Sequence, residues 1–169
     1  MGIVELIQQK AFLGKEFLTW LWFRSEAGKK IVPAGAEAIE IEILGPIVLD
    51  APYGDARVST LKGESPATSP EARAALVEGK KLKRAKIHFT QGDGEWTATL
   101  DGENFNLSGL NVPNAGRLPF DEVVALRMEF IRAFEEALGP LYETFLDLRL
   151  DNKRWRKELK AIHEWVRGK

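Results

Sequence analysis

The chain has 169 residues, a formal net charge of −1, 44% apolar residues and 29% charged residues. This balance is typical of a globular domain, and a chain of this length buries enough surface to fold without a disulfide or a metal. There is no cysteine, which excludes disulfide frameworks, thiolate metal sites and cysteine nucleophiles.

The N-terminal segment carries a dense run of apolar and aromatic residues. We predict a helix over residues 3–26, with a break near Gly14, and between Phe17 and Phe23 only Thr19 is polar. At 100° per residue such a run surrounds most of a helix, so the segment is either buried on most sides or contacts a partner. It is shorter than the about 20 apolar residues of a membrane span. The N-terminus also shows no secretory signal, so we expect a cytoplasmic protein with no membrane partner.

The next segment predicts two strands and a short helix. Residues 37–44 alternate between isoleucine and polar or small residues, which favours a half-buried strand, and residues 56–63 predict another. The helix that follows has Ser69 as its N-cap, Pro70 in its first turn and Gly79 at its C-terminal end.

An antiparallel meander is the clearest structural prediction. Residues 85–89, 95–100 and 104–108 alternate apolar and polar side chains, and glycine-containing turns separate them. The predicted strands therefore lie in one mainly antiparallel sheet. A linker over residues 110–119 follows them.

The C-terminal third predicts helices. One helix covers residues 121–138, Gly139-Pro140 interrupts it, and it resumes over residues 141–150 before a last helix at 151–166. Together these elements predict an α+β fold, with a mainly antiparallel sheet, an N-terminal aromatic helix and C-terminal helices.

Basic residues gather in two runs although the net charge is close to zero. On the last helix, Trp155, Leu159, Ile162 and Val166 form an apolar seam that leaves the basic residues on the opposite side. Each run is either a solvated face or a surface that binds phosphates. The candidate DNA-binding residues are Lys80, Lys81, Lys83, Arg84 and Lys86 in the first run, and Lys153, Arg156, Lys157 and Lys160 in the second.

No catalytic pattern emerges from the residues. His88 lies on a predicted strand and His163 on the last helix, and neither has a serine or carboxylate at the spacing of a catalytic triad. Glycines 92 and 94 precede a strand, not a helix, so they do not form a phosphate loop. We therefore expect no enzyme activity, cofactor or metal. Arg149 is interpreted either as half of a structural ion pair or as a phosphate contact.

Five segments in order resemble the C-terminal half of the recombination-associated protein RdgC family. They are FLGKEFLTWLWFR (12–24), GKKLKRAKIHF (79–89), EWTATLDGENF (95–105), RMEF (127–130) and LYETFLDLRL (141–150). The resemblance covers most of residues 12–150. It implies an RdgC-like α+β domain over residues 1–150, on which the basic amphipathic helix 151–169 packs as an addition.

The resemblance also implies a function. Members of this bacterial family bind double-stranded DNA with little sequence preference, form a dimeric ring around the duplex, restrain RecA-driven recombination and have no known catalytic residues. The N-terminal half of the family has no counterpart here, so we expect a stand-alone, nucleoid-associated relative that forms a homodimer or pairs with another chain. Its dimer interface is expected at Phe17, Trp20, Trp22 and Phe23. The alternative is a protein-interaction module that has kept the fold and lost DNA binding.

Overall fold

A computed structural model of the protein describes residues 3–28, 30–33, 36–111 and 115–168, with side chains from residue 11 onward. The α+β prediction is confirmed. The helices are α1 (Ile3–Glu26), α2 (Pro70–Val77), α3 (Phe120–Leu150) and α4 (Asn152–Val166). The strands are β1 (Ile39–Asp50), β2 (Val58–Leu61), β3 (Lys81–Gln91), β4 (Gly94–Asp101) and β5 (Leu107–Ser108).

The five strands form one antiparallel sheet in the order β2-β1-β3-β4-β5. The predicted first strand extends beyond residue 44, because β1 continues through Gly45-Pro46 and pairs with β3 along most of its length. The predicted meander is present, but its third strand shrinks to Leu107–Ser108. Phe105, expected in that strand, has a φ of 58° and lies in the turn before it.

One face of the sheet is buried beneath the helices. The inward side chains of the two central strands include Ile39 and Ile47 from β1 and Ile87 and Phe89 from β3. Because side chains alternate along a strand, the residues between them extend from the opposite, open face. Helix α1 packs on the buried face against β1 and β3.

The aromatic run of α1 forms the centre of the core. Phe17 lies 5.0 Å from the ring of Tyr142 and 5.5 Å from that of Phe145, both on α3, and Trp22 lies 5.5 Å from Trp165 on α4. The helix is buried on most sides because the sheet covers one side of it and α3 and α4 cover others. This arrangement explains why its apolar residues do not form a single stripe.

The predicted break at Gly14 is wrong, because α1 is continuous from Ile3 to Glu26. Gly14 has a different role, which is close packing. A Cβ atom on Gly14 would lie 1.8 Å from the carbonyl oxygen of Gly102, in the turn after β4. Glycine is therefore required by the contact between α1 and this turn.

The predicted interruption at Gly139-Pro140 is also wrong, since α3 runs unbroken from Phe120 to Leu150. Proline removes one backbone donor, so the carbonyl of Glu136 loses its usual partner. Glu136 is exposed, and water can satisfy that carbonyl. Buried Leu138 and Leu141 hold the helix on the core at both sides of the proline.

Helix α4 packs on α1, α2 and α3. Its start is determined by Asp151, whose carboxylate accepts hydrogen bonds from the backbone N–H groups of Lys153 and Arg154, both at 3.0 Å. The predicted seam lies inward, with Trp155 and Ile162 buried. The cap predicted for α2 is also present, since the Ser69 hydroxyl accepts a hydrogen bond from the backbone N–H of Ala72 at 3.1 Å.

Candidate nucleic-acid interface

Lys80, the first residue of the basic run, directly precedes β3 and is buried. Its side chain is only 7% exposed, and its Nζ donates a hydrogen bond to the Ser59 hydroxyl at 2.7 Å. The Nζ also lies 3.6 Å from a carboxylate oxygen of Glu78. Lys80 in this position cannot reach a DNA phosphate, and its role is to join β3 to β2.

The next cations of this run face carboxylates of the same chain. Lys81 Nζ lies 3.4 Å from Glu16 and over the ring of Phe12, 4.0 Å from its centroid. Lys83 Nζ lies 3.2 Å from Glu103. These acids come from α1 and from the turn after β4, so the fold neutralises charges that appear unopposed in the sequence.

Arg84 forms the best-oriented ion pair of the run. Its Nε and Nη2 both donate to one carboxylate oxygen of Asp101, at 3.1 Å and 2.8 Å. The other oxygen of Asp101 accepts the backbone N–H of Glu103 at 2.9 Å. Burial alone would raise the pKa of Asp101, but the bonds from Arg84 and from the Glu103 backbone outweigh it and hold the pKa below its usual value.

A charge network continues from Glu103 to α1. Lys15 Nζ lies 3.0 Å from Glu103 and 2.8 Å from Asp50. The hydrogen bond from Lys15, joined by one from Lys83, lowers the pKa of Glu103 against the opposing effect of burial. Burial likewise opposes the charge on Lys15, but Asp50 and Glu103 outweigh it and raise the pKa of Lys15. The network balances cations and acids, so it offers little net charge to a polyanion.

Lys86 and His88 extend from the open face of the sheet. His88 has its Nδ1 2.8 Å from the Thr97 hydroxyl and its Nε2 3.2 Å from Glu95. Within the described part of the chain, the Lys86 side chain makes no hydrogen bond or ion pair. Lys86 is therefore the one member of this run whose charge is not already engaged by a described side chain.

The basic face of α4 differs from the basic run of β3, because Glu158 and Asp151 make contacts away from the exposed cations. Glu158 points inward, where it accepts a hydrogen bond from Trp20 Nε1 at 2.9 Å and lies 3.4 Å from Arg24. Asp151 caps the helix. Only Glu164 faces outward among the cations, 3.9 Å from Lys160. The exposed cations of α4 and its C-cap are Lys153, Arg154, Arg156, Lys157, Lys160 and Arg167.

The two predicted basic segments do not form one surface. Helix α4 lies with the other helices, on the side of the sheet that β3 buries. Arg84 and Lys86 alternate with buried Ala85 and Ile87, so they extend from the opposite face. A duplex that contacts α4 therefore does not contact these two residues of the same molecule.

The structure also resolves the two interpretations of Arg149. Its Nε lies 2.9 Å from a carboxylate oxygen of Glu16, and its guanidinium lies over the ring of Trp155, 5.0 Å from the centroid. Arg149 thus forms the structural ion pair, and it joins α3 to α1 and α4.

The expected dimer interface on α1 is corrected by the structure. All four side chains are buried inside the chain, and the indole N–H of Trp22 donates to Glu26 at 2.7 Å. These residues cannot contact a partner without unfolding the core, because α3, α4 and the sheet already cover them. The four residues are Phe17, Trp20, Trp22 and Phe23.

An exposed apolar stripe on α3 was not anticipated from the sequence. Phe120 is 84% exposed and Met128 is 62% exposed, and the exposed side chain of Val124 lies between them. The first buried residue of α3 is Phe134. The four-residue spacing of the stripe is the signal in the sequence, and it is obscured because Val123, Phe130 and Phe134 of the same helix predict a core face elsewhere on it.

The described residues also bear on metal binding and on membrane insertion. No group of three or more His, Asp or Glu side chains in the described residues has the arrangement of a metal site. None of the helices, as far as the structure describes them, is long and apolar enough to span a membrane.

Sequence comparison with known proteins gives no relative. No protein-family model matches this chain, and no curated protein is significantly similar to it. The resemblance to RdgC thus depends on the five segments quoted above.

Proposed function

We propose that this protein binds double-stranded DNA without sequence preference, through contacts between the DNA phosphates and the outer face of α4. The observation that carries the proposal is the row of exposed cations on this helix, whose acids other than Glu164 are turned inward or used as a cap. Binding of a polyanion to such a row is favourable, because the phosphates release their counterions when the cations neutralise them.

The length of the row suits a duplex. From Lys153 to Arg167 the helix rises about 20 Å, at about 1.5 Å per residue. This distance exceeds the about 12 Å width of a DNA major groove, so cations at the two ends can reach phosphates of both strands. The apolar seam of α4 is buried in the protein, so the helix cannot turn another face into the groove to read bases.

The resemblance to RdgC supports the same class of ligand and adds a process. On this proposal the protein is a stand-alone relative of that family that acts in DNA recombination in the cytoplasm, at the nucleoid. We place the DNA contacts on α4, which lies outside the segments that carry the resemblance. The basic run of β3 is not part of the proposed site, because carboxylates of the same chain neutralise it.

Charge reversal on α4 tests this proposal. The variant carries Arg156→Glu, Lys157→Glu and Lys160→Glu, and the matched control carries Arg57→Glu, Lys62→Glu and Arg117→Glu, which are exposed cations elsewhere. Binding to two unrelated duplexes is followed by fluorescence anisotropy at about 50 mM salt. We expect the α4 variant to lose on the order of a hundredfold in affinity for both duplexes. Equal losses in the variant and the control would overturn the proposed site.

A second candidate function, self-association, is favoured by the apolar stripe on α3. On a helical projection, Phe120, Val124 and Met128 fall within about 80° of one another. Contiguous exposed apolar surface of this kind is a feature of interaction sites. We propose a second copy of this chain as its partner.

The charges beside the stripe suit an antiparallel pair. Asp121 and Arg132 lie on the same flank of the stripe, about 20° apart on the projection. In a two-fold pair of antiparallel helices, a flank of one copy lies against the same flank of the other copy. A two-fold axis that passes between residues 126 and 127 therefore sets Asp121 of one copy opposite Arg132 of the other. In this register Val124 packs beside Met128 of the other copy.

Light scattering tests the second candidate. We expect a dimer for the unmodified protein and a monomer for the variant Val124→Glu, Met128→Glu. Val58→Glu, which changes an exposed residue on β2, serves as the control and should stay dimeric. A monomeric unmodified protein at tens of micromolar would remove this candidate and leave DNA binding untouched.

A further inference from the structure

A groove lies where α1, α2, α4 and the start of β3 meet. Its volume is about 390 Å³, within the range of small-molecule sites in proteins. The floor is apolar and comes from three helices, with Trp20, Leu76, Trp155 and Ile162 among its lining residues. Val77 stands at its edge and is 63% exposed.

The polar groups deep in this groove are already satisfied. The Thr19 hydroxyl donates to the carbonyl of Lys15 at 2.8 Å and accepts the backbone N–H of Leu82 at 2.9 Å. Trp20 Nε1 is bonded to Glu158, and Lys80 Nζ to Ser59. A ligand that enters the floor therefore meets apolar surface and displaces no internal hydrogen bond.

The rim of the groove carries uncommitted polar groups. His163 and Arg167 lie one turn apart on α4 and line the groove. Neither side chain makes a hydrogen bond or ion pair with any side chain that the structure describes. Lys81 adds a further positive charge at the other end of the groove.

The electrostatic balance at the groove is positive. Among the described residues, Glu16 is the only carboxylate that lines the groove, and Arg149 at 2.9 Å and Lys81 at 3.4 Å neutralise it. The C-terminal ends of α2 and α4, which carry the negative ends of the helix dipoles, also face the groove. Arg167 and the one surplus positive charge of the Glu16, Arg149 and Lys81 group outweigh these dipoles, because a helix end carries only about half a charge and is screened by water.

We propose that this groove binds a small amphipathic anion, a single carboxylate or sulfonate on an apolar body. The apolar body lies on Trp155 and Ile162, and the anionic group lies at the rim, where Arg167 and His163 donate to it. The groove shares Arg167 with the cation row of the DNA proposal, but the two proposals are tested at different residues, since the cations reversed to test DNA binding are Arg156, Lys157 and Lys160.

Octanoate and 1-octanol, which share one chain length and differ in charge, test the proposal on the full-length ¹⁵N-labelled protein. We expect octanoate to shift the indole N–H signals of Trp20 and Trp155 and to leave that of Trp96, on β4, unchanged. Octanol should bind at least tenfold more weakly, because it cannot pair with Arg167. No shift at Trp20 and Trp155, or equal binding of the two compounds, would overturn the proposal.

Two matched pairs of variants locate the site. Val77→Trp fills the groove and should weaken octanoate binding at least tenfold, whereas Val58→Trp, at an exposed position on β2, should not. Arg167→Glu should weaken it about tenfold, and Lys153→Glu, which changes the charge equally at the other end of α4, should have little effect. The second pair decides the matter if Val77→Trp does not fold. If the two variants of each pair weakened octanoate binding equally, the groove would not be the binding site.

Discussion

Arg84 and Asp101 form a two-bond ion pair across β3 and β4, with Nε and Nη2 of the arginine on one carboxylate oxygen at 3.1 Å and 2.8 Å. The two residues are also paired in the register of the sheet. Asp101 is nearly buried, so solvent screens the pair less than it screens a surface ion pair. The densest basic run of the sequence is therefore a structural feature of the sheet.

The first prediction concerns charge reversal in this run. The triple variant Lys81→Glu, Lys83→Glu, Arg84→Glu is expected to lose roughly 2–4 kcal/mol of stability, since each new carboxylate faces an acid that was paired. Urea denaturation followed by circular dichroism measures the loss. The triple variant at Arg57, Lys62 and Arg117 is the control, with the same change in net charge and almost no change in midpoint. An unchanged midpoint in the β3 variant would show that these ion pairs do not stabilise the fold.

The second prediction is a loss of stability in acid that depends on Asp101 and Glu103. Their pKa values in the folded protein lie below the ordinary values of 3.8 and 4.5. As the pH falls, the unfolded chain therefore takes up these protons first, and the free energy of unfolding decreases. The stabilisation is complete above about pH 5.5 and is lost as the pH falls through the folded-state pKa values.

Urea titrations at neutral pH and near pH 3 measure this dependence. The variant Asp101→Asn should be less stable at neutral pH and should lose less stability on acidification than the unmodified protein. Glu64→Gln, at an exposed site between β2 and α2, should show the same pH profile as the unmodified protein. If the stability of Asp101→Asn and that of the unmodified protein fall in parallel with pH, the Arg84–Asp101 pair does not cause the loss of stability in acid.

The third prediction concerns the contact between Gly14 and Gly102. Alanine is the better helix former, yet Gly14→Ala should destabilise the protein by about 2–3 kcal/mol, because its Cβ would overlap the backbone of Gly102. Thermal unfolding gives the comparison. Gly116→Ala, where a Cβ meets open space, should change stability by less than about 0.5 kcal/mol. A stabilised Gly14→Ala variant would mean that α1 does not approach the turn this closely.

The fourth prediction concerns the cap of α4. Asp151→Ala removes the acceptor for two backbone N–H groups and should cost about 1 kcal/mol, whereas Asp151→Asn keeps an acceptor and should cost little. The difference between the two variants in chemical denaturation is the measurement. A similar cost for both would indicate that charge, and not capping, is the contribution of Asp151.

Local patterns in the sequence predicted much of the fold. The Ser69 cap and the alternation along β3 depend on neighbouring residues, and both predictions are confirmed. The breaks expected at Gly14 and Pro140 were wrong because tertiary contacts outweigh local preference. Gly14 is needed for a contact with the turn after β4, and buried residues on both sides of Pro140 keep α3 continuous.

The candidate site was less predictable, because charge depends on partners that are distant in the sequence. Lys83 meets Glu103, and Lys81 meets Glu16 on α1, and nothing near β3 in the sequence indicates these pairings. For α4 the helical projection separated the seam from the cations, since both lie on one element. A projection of this kind is informative where an element packs by a single face.

Salt dependence of duplex binding tests the central claim most directly. If α4 neutralises about five phosphates, a plot of log Kobs against log salt concentration should have a slope of about −4 to −5. The variant Arg156→Glu, Lys157→Glu, Lys160→Glu should show a much shallower slope. A slope near zero for the unmodified protein, or the same slope for both proteins, would contradict phosphate binding by α4.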